Sequence, residues 1–198
     1  MRMRLMGAAL LAITGLWAAS AHATQYTVDP AHTSVTFQVR HLFTKVTGRF
    51  DRFTGTIDFD PAQPAQAKVS GNIDAASINT NNEKRDVDLR SDRFFDVAKY
   101  PTITFTSTGV SQVDAAQQVG KMDGLLTIHG VQKPVVLDVS YLGAGKDPWG
   151  NQRAGFSGHT TINRKDFGLS WNETLETGGV LVGDEITIDL QIEATPSK

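Results

Sequence analysis

Apolar and polar side chains alternate one for one over most of this sequence. A period of two restricts such a chain to β-strands with one apolar face. After a turn at Asp29-Pro30, Val35, Phe37 and Val39 alternate with Thr36, Gln38 and Arg40. Phe53, Gly55, Ile57 and Phe59 alternate with Thr54, Thr56 and Asp58; Val69, Gly71 and Ile73 follow a turn at 61–64. Further rows run through Ile103 and Phe105, then Met122, Gly124, Leu126 and Ile128, then Val135, Leu137, Val139 and Tyr141. A weaker row contains Phe156, Thr160 and Ile162, and a clean one ends the chain at Ile186, Ile188, Leu190 and Ile192. His129-Gly130 predicts a tight turn. Residues 42–48, 110–120 and 143–151 read as connections, and 163–168 as a turn or short helix.

One segment departs from the period. Between residues 83 and 99 lie five acidic and five basic side chains, a balanced set that reads as a solvated, ion-paired surface. Thr80-x-x-Glu83 has the spacing of a capping box, which predicts a short helix over 81–90 with a thin apolar face, Val87 and Leu89, and with Phe94-Phe95 as an anchor. The segment reads as a polar crossover, a lid or brace at one end of the molecule.

About eight hairpin-connected strands with one interior helix suit a closed antiparallel barrel or a sandwich. Long strands favour the barrel, because one helix cannot cover two open faces and closure removes the edges. An eight-stranded barrel can enclose one ligand. Periodicity leaves open whether the apolar face is packed solid or lines a tunnel, and whether Gly55, Gly71, Gly124 and Gly158 mark bends or close approach.

Residues 1–23 are expected to be a cleaved signal peptide: Arg2 and Arg4, an apolar run, then Ala21-His22-Ala23. The mature chain, 24–198, is long enough for one domain, and its location is expected to be the periplasm. Removing Arg2 and Arg4 from the 19 basic side chains leaves 17 against 21 acidic ones, a net charge of −4. That balance excludes nucleic acid as a partner. No second apolar run predicts stable membrane insertion, and a homodimer stays open. Cysteine is absent, so the fold is held by its core without disulfides.

Six blocks in order, spanning nearly all of the mature chain, resemble the YceI-like family. They are YTVDPAHTSVTFQVRH (26–41), GRFDRFTGTIDFD (48–60), INTNNEKRDVDLRSDRFFDVAKYPTITF (78–105), GLLTIHGVQKPVVL (124–137), INRKDFGL (162–169) and VGDEITIDL (182–190). The third is the most specific, with Thr80, Asn82, Arg85 and Asp86 in fixed spacing. The resemblance implies an all-β, eight-stranded antiparallel, extended lipocalin-like barrel with one short crossover helix. It also implies a long-chain isoprenoid or acyl amphiphile held inside as ligand, with no other cofactor.

On that reading the tunnel is lined by Phe37, Val39, Phe53, Ile57, Ile73, Phe105, Leu126, Ile128, Val139, Phe156, Ile188 and Leu190. A polar head group needs donors at the mouth, and His32, Asn82, Arg85 and Arg164 are the candidates, with Asp86 orienting an arginine. Arg85-Asp86 reads equally as an ion pair fastening the crossover, and His32 as a capping histidine. The four mature histidines lie on different strands, so no metal site is expected. No nucleophile motif appears, so no catalytic residue is assigned. The expected function is periplasmic binding, transport or storage of such an amphiphile, with a link to envelope stress or isoprenoid-quinone metabolism. The alternatives are a solid-core structural or stress-response protein, and a hydrolase or isomerase on the same barrel.

Overall fold

The computed structural model describes residues 23–175 and 178–197. The expected signal peptide lies outside the described residues except for Ala23. The elements are β1 (Thr24–Val28), β2 (Ser34–His41), β3 (Thr44–Phe50), β4 (Phe53–Phe59), β5 (Lys68–Asp74), β6 (Ile78–Asn79), α1 (Glu83–Arg90), β7 (Thr102–Asp114), β8 (Val119–Ile128), β9 (Val131–Lys146), β10 (Gln152–Asn163) and β11 (Val182–Pro196). Eight of the strands close a ring in the order β1-β4-β5-β7-β8-β9-β10-β11, with β11 pairing back to β1. The fold is therefore the closed antiparallel barrel, not the sandwich. Strand β11 also carries a flap of β2, β3 and β6. Its first part pairs with β2 (Ile186 with Val39, Gln191 with Ser34), and its last residues pair with β1 (Ala194 with Val28). Strands β1 and β2 thus share one position in the wall, broken at the Asp29-Pro30 turn.

Three connections expected from the sequence are shorter than their polarity implied. Residues 44–50 form β3, a strand the alternation hid because Gly48 stands where an apolar side chain would complete the row Val46, Gly48, Phe50. A Cβ there would lie 2.3 Å from Cζ of Phe37, so the ring of Phe37 fills the place. Gly124 plays the same part beneath Phe105, whose Cε2 is 2.3 Å from where its Cβ would be. These glycines mark close approach rather than bends. Strand β7 runs to Asp114, with bulges near Gly109 and Gln112 that break the period. Strands β9 and β10 narrow the last loop to 147–151.

The crossover from β6 to β7 covers the barrel end where β5, β8 and β10 finish. Helix α1 begins two residues later than the capping box implied. Asn81 takes a φ of +58°, and Asn82 is the cap, its Oδ1 accepting the Arg85 N–H at 3.1 Å. Thr80 is committed elsewhere: its N–H and hydroxyl both donate to buried Asp86, at 2.9 and 2.5 Å. Arg85 donates to the Thr80 hydroxyl at 2.7 Å and the Thr80 carbonyl at 2.9 Å. Arg85 and Asp86 therefore fasten the crossover through Thr80 rather than as a direct ion pair. Arg90 adds bonds to the carbonyls of Ala76 and Ile78, each at 3.0 Å. Val87 points to solvent, so polar contacts hold the helix more than apolar burial does. Beyond the helix, Phe95 packs edge-on against Phe50, and Phe94 lies 5.1 Å from Trp171.

Two apolar clusters bracket the interior. One, with Phe50, Ile78, Ile103, Ile128 and Phe167, sits under the crossover. The other joins Ile57, Phe59, Ala154, Phe156 and Ala194 where β4, β10 and β11 approach β1.

Candidate functional site

An apolar cavity of about 370 Å³ occupies the barrel interior. Its wall reaches from Leu89, Phe94 and Val182 at the crossover end to Pro61, Pro64, Ala115 and Gln118 at the other. Ile103 and Val113, both on the wall, are separated along β7 by roughly 33 Å of extended chain. The interior is hollow, and the solid-core alternative is corrected on that ground. All twelve residues expected to line a tunnel stand on this wall. Sequence reasoning missed several others. Leu137 and Ile186 lie on alternating rows already recognised, and Phe94 in the apolar pair of the crossover. Val110, Val113 and Gly120 lay hidden in the stretch read as a loop.

The wall owes part of its width to glycine. Val139 is paired across the sheet with Gly120 on β8 and Gly158 on β10, so a medium side chain stands between two positions with none. The wall is almost entirely hydrocarbon. Such a surface gives water few partners and rewards an apolar occupant by about 25 cal/mol per Å² covered. Two ionisable side chains other than Tyr141 border it, Asp114 and Arg164. Asp114 caps its own turn, accepting the N–H groups of Ala116 and Gln117 at 3.0 and 3.1 Å.

Arg164 is the one head-group candidate that reaches the wall, and most of its donors are engaged. It is 4% exposed, at the start of the 3-10 turn after β10. Its guanidinium donates to the carbonyls of Gly183 (2.9 Å), Leu169 and Trp171 (2.9 Å), and to Asp184 Oδ1 at 3.2 Å. Burial lowers its pKa, and Asp184 works in the other direction. The other four candidates stand away from the cavity wall. Asn82 caps α1, Arg85 and Asp86 grip Thr80, and His32 lies on the outer surface with Nδ1 2.8 Å from Asp29. The chemistry that suggested them serves the fold.

Asp29, His32 and Glu193 bring one ligand atom each to within 4.8 Å of one another. A cation would compete there with Arg153, whose guanidinium already lies 2.5 Å from Asp29 and 3.2 Å from Glu193. The cluster is better described as a clasp holding the β1–β2 break against β10. Hydrogen bonds from His32 and from the Ala31 N–H hold the Asp29 carboxyl down at about 2, against the opposing effect of burial, with Arg153 adding to the depression. A carboxyl lowered in the folded state stabilises it above the unfolded pKa near 3.8, and that contribution is lost as pH falls from about 4 through about 2. Asp29→Asn should therefore be less stable than the parent near neutral pH. In urea unfolding, the gap should close by about pH 2; a gap that stays constant with pH counts against the clasp.

Histidine also meets carboxylate elsewhere on the outer face of the wall. Lys121, Asp138, His159 and Asp189 form a transverse row over β8 to β11, with Lys121 2.5 Å from Asp138 and His159 2.7 Å from Asp189. The row faces solvent, outside the cavity.

A closed antiparallel barrel around an elongated apolar cavity has room to enclose one small ligand. The chain belongs to the YceI-like family, whose domain matches residues 26–194. A UPF0312 protein of Vibrio cholerae serotype O1 is 42% identical over 172 residues, covering 85% of this chain and 89% of the relative. A UPF0312 protein of Azotobacter vinelandii is 42% identical over 167 residues, covering 83% of each. Among solved structures, BcnA of Burkholderia cenocepacia superposes with a TM-score of 0.74 at 27% identity, over 85% of this chain and 99% of BcnA. The YCEI protein of Campylobacter jejuni gives 0.68 at 36%, over 80% and 90%. A domain of Saccharophagus degradans described as polyisoprenoid-binding shares the fold at 0.61 and 20% identity, over 87% and 98%.

Proposed function

We propose that this protein binds the hydrocarbon chain of an isoprenoid or acyl amphiphile inside its barrel. It carries or stores that molecule in the periplasm, in the service of envelope stress defence or isoprenoid-quinone metabolism. The observation that carries the reading is the continuous apolar cavity, with a wall that offers a ligand hydrocarbon along its length and few polar groups. The description of the Saccharophagus neighbour as a polyisoprenoid-binding domain supports the isoprenoid class. In this role the protein makes and breaks no bond; specificity comes from length, width and exclusion of water. Organic extraction of protein purified from its native host, followed by mass spectrometry, should release a long-chain lipid in near-stoichiometric amount. Protein that yields none, and that takes up neither a polyprenyl nor a fatty compound on incubation, would overturn the proposal.

A further inference from the structure

The hairpin joining β2 to β3 ends in Leu42-Phe43, at the crossover end of the barrel. Leu42 has a φ of +50°, a conformation for which a two-residue hairpin turn favours Gly or Asn. Phe43 is 96% exposed. Turn formation explains neither residue, and burial does not explain the ring. Just behind the tip, Arg40 and Lys45 are directly paired across the ladder. Like charges in that relation repel, so the hairpin gives up stability to keep them. The Arg40 guanidinium is held toward the tip by a bond to the Leu42 carbonyl at 3.0 Å. Among the described residues neither cation has a carboxylate within 4.0 Å. Nearby Asp184 is engaged by Arg164 and Lys165, at 3.2 and 2.9 Å.

A second loop extends the apolar tip. The Leu42 N–H donates to the Leu181 carbonyl at 2.9 Å, which sets the partly exposed Val180 alongside. An aromatic ring at the apex with cations one step behind matches the layering of an anionic bilayer surface: acyl boundary first, phosphates above it. We propose that this tip docks the protein on anionic phospholipid bilayers, with Phe43 inserted and Arg40 and Lys45 at the phosphates. Val39 and Val182 stand on the cavity wall next to the hairpin. Docking in this pose therefore sets that end of the cavity against the membrane.

The test is co-sedimentation of unloaded protein with vesicles of phosphatidylglycerol and phosphatidylethanolamine, and with vesicles of phosphatidylcholine alone. Binding should be confined to the anionic vesicles and weaken with salt. Phe43→Ala should bind about tenfold more weakly, and Arg40→Gln or Lys45→Gln each about fivefold. Trp149→Ala, exposed at the opposite end of the barrel, should bind as the parent does. All these side chains are exposed, so circular dichroism should be unchanged, and relief of the like-charge pair should not lower the thermal midpoint of Arg40→Gln. No binding to anionic vesicles overturns the proposal, as does equal binding by Phe43→Ala. A concentration-dependent dimer that Phe43→Ala dissolves, with no vesicle binding, would assign the tip to a second copy of the chain instead. Because unloaded protein is used, failure here leaves the cargo reading untouched, and failure to find a cargo leaves the docking result standing.

Discussion

Arg164→Met should destabilise the protein by about 3–5 kcal/mol in urea unfolding, the cost expected when one partner is removed from a buried, extensively bonded charged site. The reason lies in the acceptors left behind. The carbonyls of Gly183, Leu169 and Trp171 all take their hydrogen bond from this one guanidinium, and Asp184 takes a further one. Methionine replaces the stem but supplies no donor. Lysine keeps the charge on a single nitrogen and cannot serve acceptors spread around a planar fork, so Arg164→Lys should recover less than half of the loss. A loss below about 1 kcal/mol for Arg164→Met would mean that the carbonyls find other partners and that Arg164 is not the pin of the segment after β10.

Val139→Trp should reduce uptake of a long-chain lipid by about tenfold or more while leaving the barrel folded. Val139 faces the cavity with Gly120 and Gly158 as its cross-strand neighbours, so the indole has space that a tightly packed site would deny it. It would fill that space from the wall inward and compete with the ligand for the same apolar surface. Stability should stay within about 1 kcal/mol of the parent, because filling an apolar void offsets rotamer strain. Leu126→Arg, which puts a charge on the wall, should abolish uptake in whatever fraction still folds. Full uptake by folded Val139→Trp would show that lipid binds outside the cavity.

The barrel was legible wherever a strand kept strict alternation, as at Phe53–Phe59 and in the final strand through Ile192. Every residue those rows marked as inward stands on the cavity wall or in the clusters that bracket it. Legibility failed where the inward place is taken by a neighbour's side chain. Gly48 gives no apolar signal, since Phe37 supplies the ring from the strand beside it. It failed again where bulges shift the phase, as around Gln112. The polar candidates fared differently from the apolar ones for a general reason. An apolar row declares its direction through periodicity, whereas Asn82, Arg85 or Asp86 declares only a capacity to bond. Which partner satisfies that capacity is decided by the local backbone: Asn81 at positive φ brings Asn82 to the cap and leaves Thr80 free to join Arg85 with Asp86.

The last strand has a kinetic consequence. Strand β11 pairs with β10, β2 and β1 at once, and the seam between β1 and β11 joins residues as far apart as Thr27 and Ser197, whose hydroxyls meet at 2.8 Å. Contacts between chain ends form against the largest loop-closure entropy in the molecule. The ring therefore cannot close on a growing chain until residues 182–196 have arrived. Until then the first two strands and the penultimate one each present an unpaired edge. The same fifteen residues that close the ring also set the moment at which its cavity first exists.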